Sequence, residues 1–216
     1  QTESRSQASR RVSRMKKGCS SAVFLWGVEK SYPELRHHNL YLPVHFREAM
    51  GDLFRERKIP EDPAFYLCTP SRTDAAMAPP GCESLMVLVP VPNLEEPRDW
   101  AAIMPVLRQR VLSRLERTLT PGLSRRIVTE RTLSPAWYES RYALESASTF
   151  GLLPSFFQSA MFRPQRRSPD LKGLYFAGAG VHPGNGIPIV LISGRLAAEA
   201  ITEDFGRVTH VSGHRS

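Results

Sequence analysis

The stretch YFAGAGVHPGNGIP at residues 175–188 is the most informative part of this sequence. It places four glycines and two prolines between an apolar run and a helix-like pattern. The run at 174–177 predicts a strand that is buried on both faces. Pro188 suits the first turn of a helix, where its missing N–H is not needed. A strand, a glycine loop and a helix are therefore predicted in succession.

The predicted helix begins near Ile189 and carries one narrow face of mostly small side chains. This face consists of Val190, Gly194, Ala197 and Ile201. Such a helix can lie close against a sheet, and its N-terminus would turn backbone N–H groups and the positive end of the helix dipole toward an electron-rich ligand group. A tight turn that binds no ligand is the alternative interpretation of the glycines alone.

The glycine spacing differs from the dinucleotide-binding fingerprint G-x-G-x-x-G. Gly178 and Gly180 match its start, but Gly184 comes one position late and Pro183 lies inside the loop. After Ile201 too little chain remains for the acidic residue and the returning strand of that motif. A pyridine-nucleotide dehydrogenase is therefore disfavoured and stays the runner-up among enzymes.

The chain upstream of the loop alternates between strand and helix patterns, which predicts an α/β (α+β mixed) fold. Strands are predicted at 20–29, 38–44, 64–70, 85–91 and 125–133, helices at 45–58 and 99–119, and a capped turn at 134–142. The second helix carries an apolar face of Ile103, Leu107, Val111 and Leu115. We expect this face to pack on a sheet, although a basic amphipathic helix can also lie on anionic lipid.

Composition and charge restrict the class of protein. A formal net charge of +8 suits an anionic partner, which could be nucleic acid, a membrane surface or a phosphate-bearing ligand. Three widely spaced cysteines indicate neither a disulfide framework nor a C-x-x-C metal site, and no apolar run is long enough to span a membrane. The basic residues 1–17 predict a solvated tail, or the end of a helix begun upstream, rather than a nucleic-acid arm.

A second apolar stretch, STFGLLPSFFQSAMFRP at 148–164, is rich in phenylalanine. Gly151 and Pro154 prevent a long regular helix there. Two interpretations are compatible with this composition: the side chains fill the core, or they line a pocket for a lipophilic ligand.

These motifs together resemble one family. The segment DLKGLYFAGAGVHPGNGIPIVLISGRLAAEAI, residues 170–201, is similar to the C-terminal flavin-binding segment of the bacterial-type phytoene desaturases, a carotenoid desaturase and oxidase family of flavoproteins with a GAGTHPGAGIPGV hallmark. Further similarity covers SYPEL and HHN at 31–39, RKIPEDPAFYLCTPSRTDAAMAPPGCESLMVLVPVPN at 57–93 and STFGLLPSFFQSAMFRPQRRSPDL at 148–171. The resemblance runs from about Met15 onward, but RPQRR replaces RPHNR and IVLISGR replaces GVLGSGK.

The resemblance implies the C-terminal part of a two-domain flavoprotein. Residues 18–167 would be part of a mixed-sheet substrate domain, and 168–207 would be the closing strand, loop and helix of a Rossmann-like FAD domain. Residues 1–17 would be a tail and 208–216 a disordered end. The N-terminal half of the same protein is an expected partner, and without it the chain is expected to hold FAD weakly or not at all.

The resemblance also implies the site residues. FAD would be bound by Gly178, Ala179, Gly180, His182, Pro183, Gly184, Gly186, Ile187 and Pro188. A carotenoid would be contacted by Phe150, Leu153, Phe156, Phe157 and Phe162. No catalytic base is identified. His182 is a candidate, but a structural role in ordering the loop is the alternative interpretation of this residue. No metal site and no nucleic-acid partner are expected.

The implied reaction removes a hydride and a proton from neighbouring carbons of a lipophilic polyene, with the flavin as hydride acceptor. Because such a substrate is insoluble in water, we expect peripheral binding to an anionic membrane surface on its cytoplasmic face. There are two rival interpretations. One is a related flavin amine oxidase, and the other is a basic module that binds a membrane or nucleic acid without catalysis.

Overall fold

The structure is a computed structural model that describes residues 7–206. These residues form two compact units. One unit, the sheet unit, is Cys19–Thr149, and the other, the loop unit, combines residues 7–18 with 150–206. Residues 150–167, which the sequence assigned to the substrate domain, thus group with the C-terminal segment. The predicted tail at 208–216 lies outside the described residues.

Strands and helices largely follow the sequence patterns. The strands are β1 (Ser20–Val28), β2 (His38–Tyr41), β3 (Phe65–Cys68), β4 (Glu83–Val91) and β5 (Ile127–Leu133). The helices are α1 (Gln7–Ser13), α2 (Phe46–Phe54), α3 (Trp100–Thr118), α4 (Pro135–Tyr142) and α5 (Ile187–Phe205). The predicted turn at 134–142 is the helix α4, in which the Ser134 hydroxyl caps the N-terminus by accepting the Trp137 N–H at 3.3 Å.

The five strands form one sheet in the order β2-β3-β4-β1-β5, and every neighbouring pair is antiparallel. The expected mixed sheet is therefore wrong for the described strands. Helix and strand patterns alternate along the sequence, but the helix between β2 and β3 joins antiparallel neighbours instead of making a parallel crossover. Burial alternates along β4, so that one face of the sheet is covered, as antiparallel sheets allow.

Helix α3 covers this face and confirms the predicted packing. Leu107, Val111 and Leu115 are almost fully buried among the side chains of the sheet, and Ile103 is partly buried. Burial of a leucine contributes about 1.5–3 kcal/mol, so this contact stabilises the sheet unit strongly. The helix begins where the Asp99 carboxylate accepts the Ala102 N–H at 3.1 Å. Its apolar face is occupied by the core and not exposed for lipid.

The loop unit joins two distant parts of the chain. The Gly18 N–H donates to the Gly151 carbonyl at 2.8 Å, and Lys17 pairs with Leu152 as an isolated bridge. The buried side chain of Gln158 accepts the Lys16 N–H at 2.8 Å and donates to the Lys16 carbonyl at 2.9 Å. Residues 16–18 are therefore fixed to the segment after Thr149 rather than part of a solvated tail.

The predicted buried strand at 174–177 is wrong for the described residues. Tyr175 pairs with Arg167 in a single bridge, and Leu174 and Phe176 are 40% and 41% exposed. A strand in the interior of a sheet needs a hydrogen-bonded neighbour on each side, and here one bridge is formed. The apolar pattern shows only that the segment is hydrophobic. A strand also needs hydrogen-bonding partner strands from other parts of the chain, which the local pattern does not reveal.

Helix α5 follows the loop as predicted but buries a different face. Ser193, Ala197 and Ala200 are buried, whereas Gly194 and Ile201 are exposed. Burial of the predicted face is therefore confirmed at Ala197 and partial at Val190, and the prediction is wrong at Gly194 and Ile201. Among residues 7–206, no helix combines the length and apolarity needed to cross a bilayer.

Candidate functional site

The glycine loop between Gly178 and Pro188 is held by hydrogen bonds from backbone N–H groups at its start and near its middle. The Gly178 N–H donates to the Ser193 hydroxyl of α5 at 3.1 Å, and the His182 N–H donates to the Pro164 carbonyl at 2.8 Å. The peptide bond between His182 and Pro183 is cis. Because Ser193 is fully buried, the start of the loop is tied to the inner face of the following helix.

The glycines of this region fall into two groups. A Cβ atom on Gly184 would touch the Arg163 guanidinium at 3.6 Å, and one on Gly151 would lie 3.4 Å from the Ala179 carbonyl oxygen. A Cβ on Gly178, Gly180 or Gly186 would meet nothing within 4 Å. An added Cβ atom would therefore make ordinary contacts within the chain at the first two positions, whereas open space lies beside the other three.

Arg163 organises the interior of the loop, and the sequence interpretation did not include it. Its side chain is 5% exposed, and its Nη2 and Nε donate to the carbonyl oxygens of Ala179 at 2.6 Å and Val181 at 3.2 Å. Burial lowers the pKa of the guanidinium from its usual value. The only sequence signal for this residue was its place in the family-like RP pair at 163–164.

The N-terminus of α5 lies at the open side of the loop. Gly186 precedes the helix and provides no capping side chain, and the first intrahelical bond runs from the Val190 N–H to the Gly186 carbonyl at 2.8 Å. The side chains at positions 185–189 are exposed. The positive end of the helix dipole is therefore directed at a surface that a ligand can reach.

This geometry fits a flavin. A planar ring can approach a backbone most closely where no Cβ atom projects, and Gly178, Gly180 and Gly186 meet that condition with 4 Å of free space at the Cβ position. Helix N-termini favour ligand atoms that carry negative charge. Of the nine predicted cofactor residues, one is buried against Arg163 and four are half-buried: Gly184 is the buried one, and Gly178, Ala179, His182 and Pro183 are half-buried. The open edge therefore consists of Gly180, Gly186, Ile187 and Pro188.

Three of the five predicted substrate residues form an exposed aromatic cluster. The rings of Phe156, Phe157 and Phe162 lie with their centroids 5.2–6.3 Å apart. Phe156 and Phe157 are 79% and 74% exposed, and Phe150 is 36% exposed. Filling of a core is therefore the wrong explanation for these side chains, while Leu153 is half-buried. The cluster offers apolar surface to a ligand or to another polypeptide segment.

A cluster of ion pairs lies at the C-terminal end of α5. Arg167 binds Asp204 at 2.8 Å and Glu203 at 2.6 Å on α5, and the Tyr175 hydroxyl donates to Asp204 at 2.6 Å. The hydrogen bonds from Arg167 and Tyr175 lower the pKa of Asp204 to about 2. These contacts connect the last turns of α5 to the segment that precedes the glycine loop.

We expect the contribution of Asp204 to the stability of the folded chain to be lost in acid. Its carboxyl pKa is lower in the folded chain than the value of about 3.9 in an unfolded chain, so its stabilising effect is complete above about pH 4 and is lost as the pH falls toward 2. Nuclear magnetic resonance of the side-chain carboxyl measures this midpoint. Arg167→Gln should raise the titration midpoint of Asp204 toward 4. Arg195→Gln, a substitution of an exposed arginine on α5, should leave the midpoint unchanged. Equal midpoints in the two variants would contradict this interpretation.

The chain is similar to proteins of known family. The family model described as flavin containing amine oxidoreductase matches residues 23–202. The lycopene-forming phytoene desaturase of Pseudescherichia vulneris is 38% identical over 192 residues, which cover 88% of this chain and 39% of that protein.

Two further relatives show the same extent of similarity. The 4,4'-diapolycopene oxygenase of Methylomonas sp. is 36% identical over 90% of this chain and 39% of its own length. The zeta-carotene-forming phytoene desaturase of Myxococcus xanthus is 40% identical over 84% of this chain and 35% of its own length. This chain thus spans about two fifths of the length of the curated relatives that it matches.

Proposed function

Since this chain belongs to the family of flavin containing amine oxidoreductases, we propose that it is the carboxyl-terminal part of an FAD-dependent carotenoid desaturase. The observation that carries the proposal is the open loop at the N-terminus of α5, where three glycines leave space for a ligand beside exposed backbone. The remaining part of the FAD site would come from an amino-terminal half that corresponds to the rest of the relatives' length.

In this proposal the residues of the chain position and polarise the cofactor. When bound, the flavin supplies the hydride acceptor for the oxidation of a carbon–carbon single bond. The backbone N–H groups at the start of α5 stabilise negative charge beside the open edge of Gly180, Gly186, Ile187 and Pro188. Arg163 keeps the carbonyl groups of Ala179 and Val181 turned inward, away from that edge.

We further propose a polyene as the substrate. The relatives named above are phytoene desaturases and a diapolycopene oxygenase. The exposed rings of Phe156, Phe157 and Phe162 provide apolar surface that suits such a ligand. A lipophilic substrate has to be taken from lipid, so peripheral docking on anionic headgroups, favoured by the net charge of +8, belongs to the same proposal.

Gly180→Ala tests the proposed flavin contact. Gly180 has no left-handed φ, and the added methyl group meets nothing in the chain, so the variant should fold as the wild type does. In a longer polypeptide that carries this chain behind an amino-terminal FAD-binding half, we expect it to retain flavin roughly tenfold more weakly, because overpacking against a ligand costs about 1–3 kcal/mol. The measurement is flavin absorbance of the detergent-purified protein during dialysis.

Gly194→Ala is the matched control, since it also adds a methyl group in open space on α5. It should retain flavin as the wild type does. If the longer wild-type polypeptide is colourless and cannot be reconstituted with FAD, the proposed function is wrong. If it holds flavin and Gly180→Ala holds it equally well, the loop is not where the cofactor approaches.

A further inference from the structure

Two histidines and a cysteine meet at the β2 edge of the sheet. His38 and Cys68 are register partners in β2 and β3, and side chains at such opposed positions share one face. His37 directly precedes β2, and its carbonyl accepts the Thr69 N–H at 2.8 Å. A nitrogen of each imidazole and the Cys68 Sγ all lie within 4.8 Å of one another.

The hydrogen bonds around His37 define its tautomer. Its Nδ1 lies 2.6 Å from the Thr73 hydroxyl oxygen, and the Thr73 hydroxyl donates its hydrogen to the Pro70 carbonyl at 3.3 Å. In this arrangement Thr73 accepts from His37, and we assign the proton of this imidazole to Nδ1 on that basis. That tautomer leaves a lone pair on Nε2, which is the form in which a histidine binds a metal ion.

Tyr66 has the same relation to His38. Its hydroxyl oxygen lies 2.6 Å from His38 Nδ1. The rings of Tyr66 and His38 also stack with their centroids 5.9 Å apart, so Tyr66 orients this imidazole through two contacts.

We propose that His37, His38 and Cys68 bind a divalent transition metal ion of the zinc type, with the fourth coordination position open to solvent. A thiolate and two neutral imidazoles favour Zn²⁺ over Mg²⁺ or Ca²⁺, which prefer oxygen ligands. In a tetrahedral zinc site such ligand atoms lie about 3.3–3.6 Å apart, so binding draws the three together by about 1 Å. The exposed side chain of His38 can make this shift.

The proposed ion would link the edge strand β2 to β3 and stabilise their pairing. It is independent of the flavin proposal, because all ligands lie in the sheet unit. The sequence did not indicate it, since the cysteine follows the histidine pair after a spacing that matches no metal motif and the sheet register alone brings them together.

Cobalt titration of the 216-residue chain tests the site. Co²⁺ replaces Zn²⁺ in tetrahedral sites, and a cysteine ligand produces an intense near-ultraviolet charge-transfer band. We expect this band in the wild type and in Cys82→Ser, a variant of another half-buried cysteine, and its loss in Cys68→Ser. Absence of the band in the wild type, or its persistence in Cys68→Ser, would overturn the proposal.

Two milder variants keep the test decisive if Cys68→Ser does not fold. Tyr66→Phe and Thr73→Val retain all three ligands and remove the hydroxyl groups that orient them, so each should weaken Co²⁺ binding about 10- to 100-fold. Zn²⁺, but not Mg²⁺, should also raise the unfolding midpoint measured by tryptophan fluorescence, since Trp26, Trp100 and Trp137 all lie in the sheet unit. Unchanged affinity in both variants, or equal effects of the two ions, would refute the site.

Discussion

Arg163→Ala is expected to release the glycine loop from its fixed conformation. The variant removes two hydrogen bonds from a buried guanidinium to the carbonyl oxygens of Ala179 and Val181. Hydrogen bonds to a charged group contribute about 1.5–3 kcal/mol each, part of which is offset by the desolvation of the charge. We expect the free energy of local opening to fall by about 3 kcal/mol.

Amide hydrogen exchange measures this effect directly. A loss of about 3 kcal/mol corresponds to an increase of more than about 100-fold in the exchange rate of protected amides in 176–190. Arg163→Lys keeps the positive charge without the planar fork and should recover little of the protection.

The exposed Arg195, whose side chain is 70% accessible on α5, provides the control. Arg195→Ala should exchange at the wild-type rate. Wild-type exchange in Arg163→Ala would show that the loop holds its conformation without the guanidinium, and the role assigned to Arg163 would be wrong.

Gly184→Ala is expected to destabilise the same loop by about 1–3 kcal/mol through backbone strain. Gly184 has a φ of 138°, a region that is essentially restricted to glycine. Steric overlap is not the cause, because the added Cβ would lie 3.6 Å from Arg163 Nε, an ordinary contact distance. The reporter is the His182 N–H, which donates to the Pro164 carbonyl and should exchange about 10- to 100-fold faster.

Gly194→Ala separates strain from the mere addition of a methyl group. Gly194 lies within α5, and its new Cβ meets nothing within 4 Å. This variant should stabilise the helix by up to about 1 kcal/mol, because alanine is the better helix former. If both substitutions shift exchange at His182 in the same direction, the strain argument for Gly184 fails.

The sheet unit could be predicted well because its signals are local. The apolar run of β1 and the apolar face of α3 each depend on residues that lie within a few turns of one another. The pairing of these elements was less accessible. The sequence suggested a mixed sheet, since local patterns do not reveal which strands become neighbours, and the antiparallel order appears only in the register.

The loop unit was harder to predict because its contacts join distant residues. The open glycines and the start of α5 were found from their spacing, whereas the strand at 174–177 was not, because it needs partners that the local pattern does not contain. Arg163 looked like one more surface charge among 29 basic residues. Its importance depends on carbonyl groups 16 and 18 positions further along the chain.

The hydrogen bond between the Gly18 N–H and the Gly151 carbonyl brings two distant points of the chain together. Gly18 and Gly151 are joined directly, so the chain leaves the loop unit and returns to it at adjacent points. The whole of Cys19–Thr149 is thus an insertion between two neighbouring positions of the other unit. Insertions of this kind can diverge or be exchanged with little disturbance to the host. Substitutions can therefore accumulate in Cys19–Thr149 while the internal contacts of the loop unit are kept.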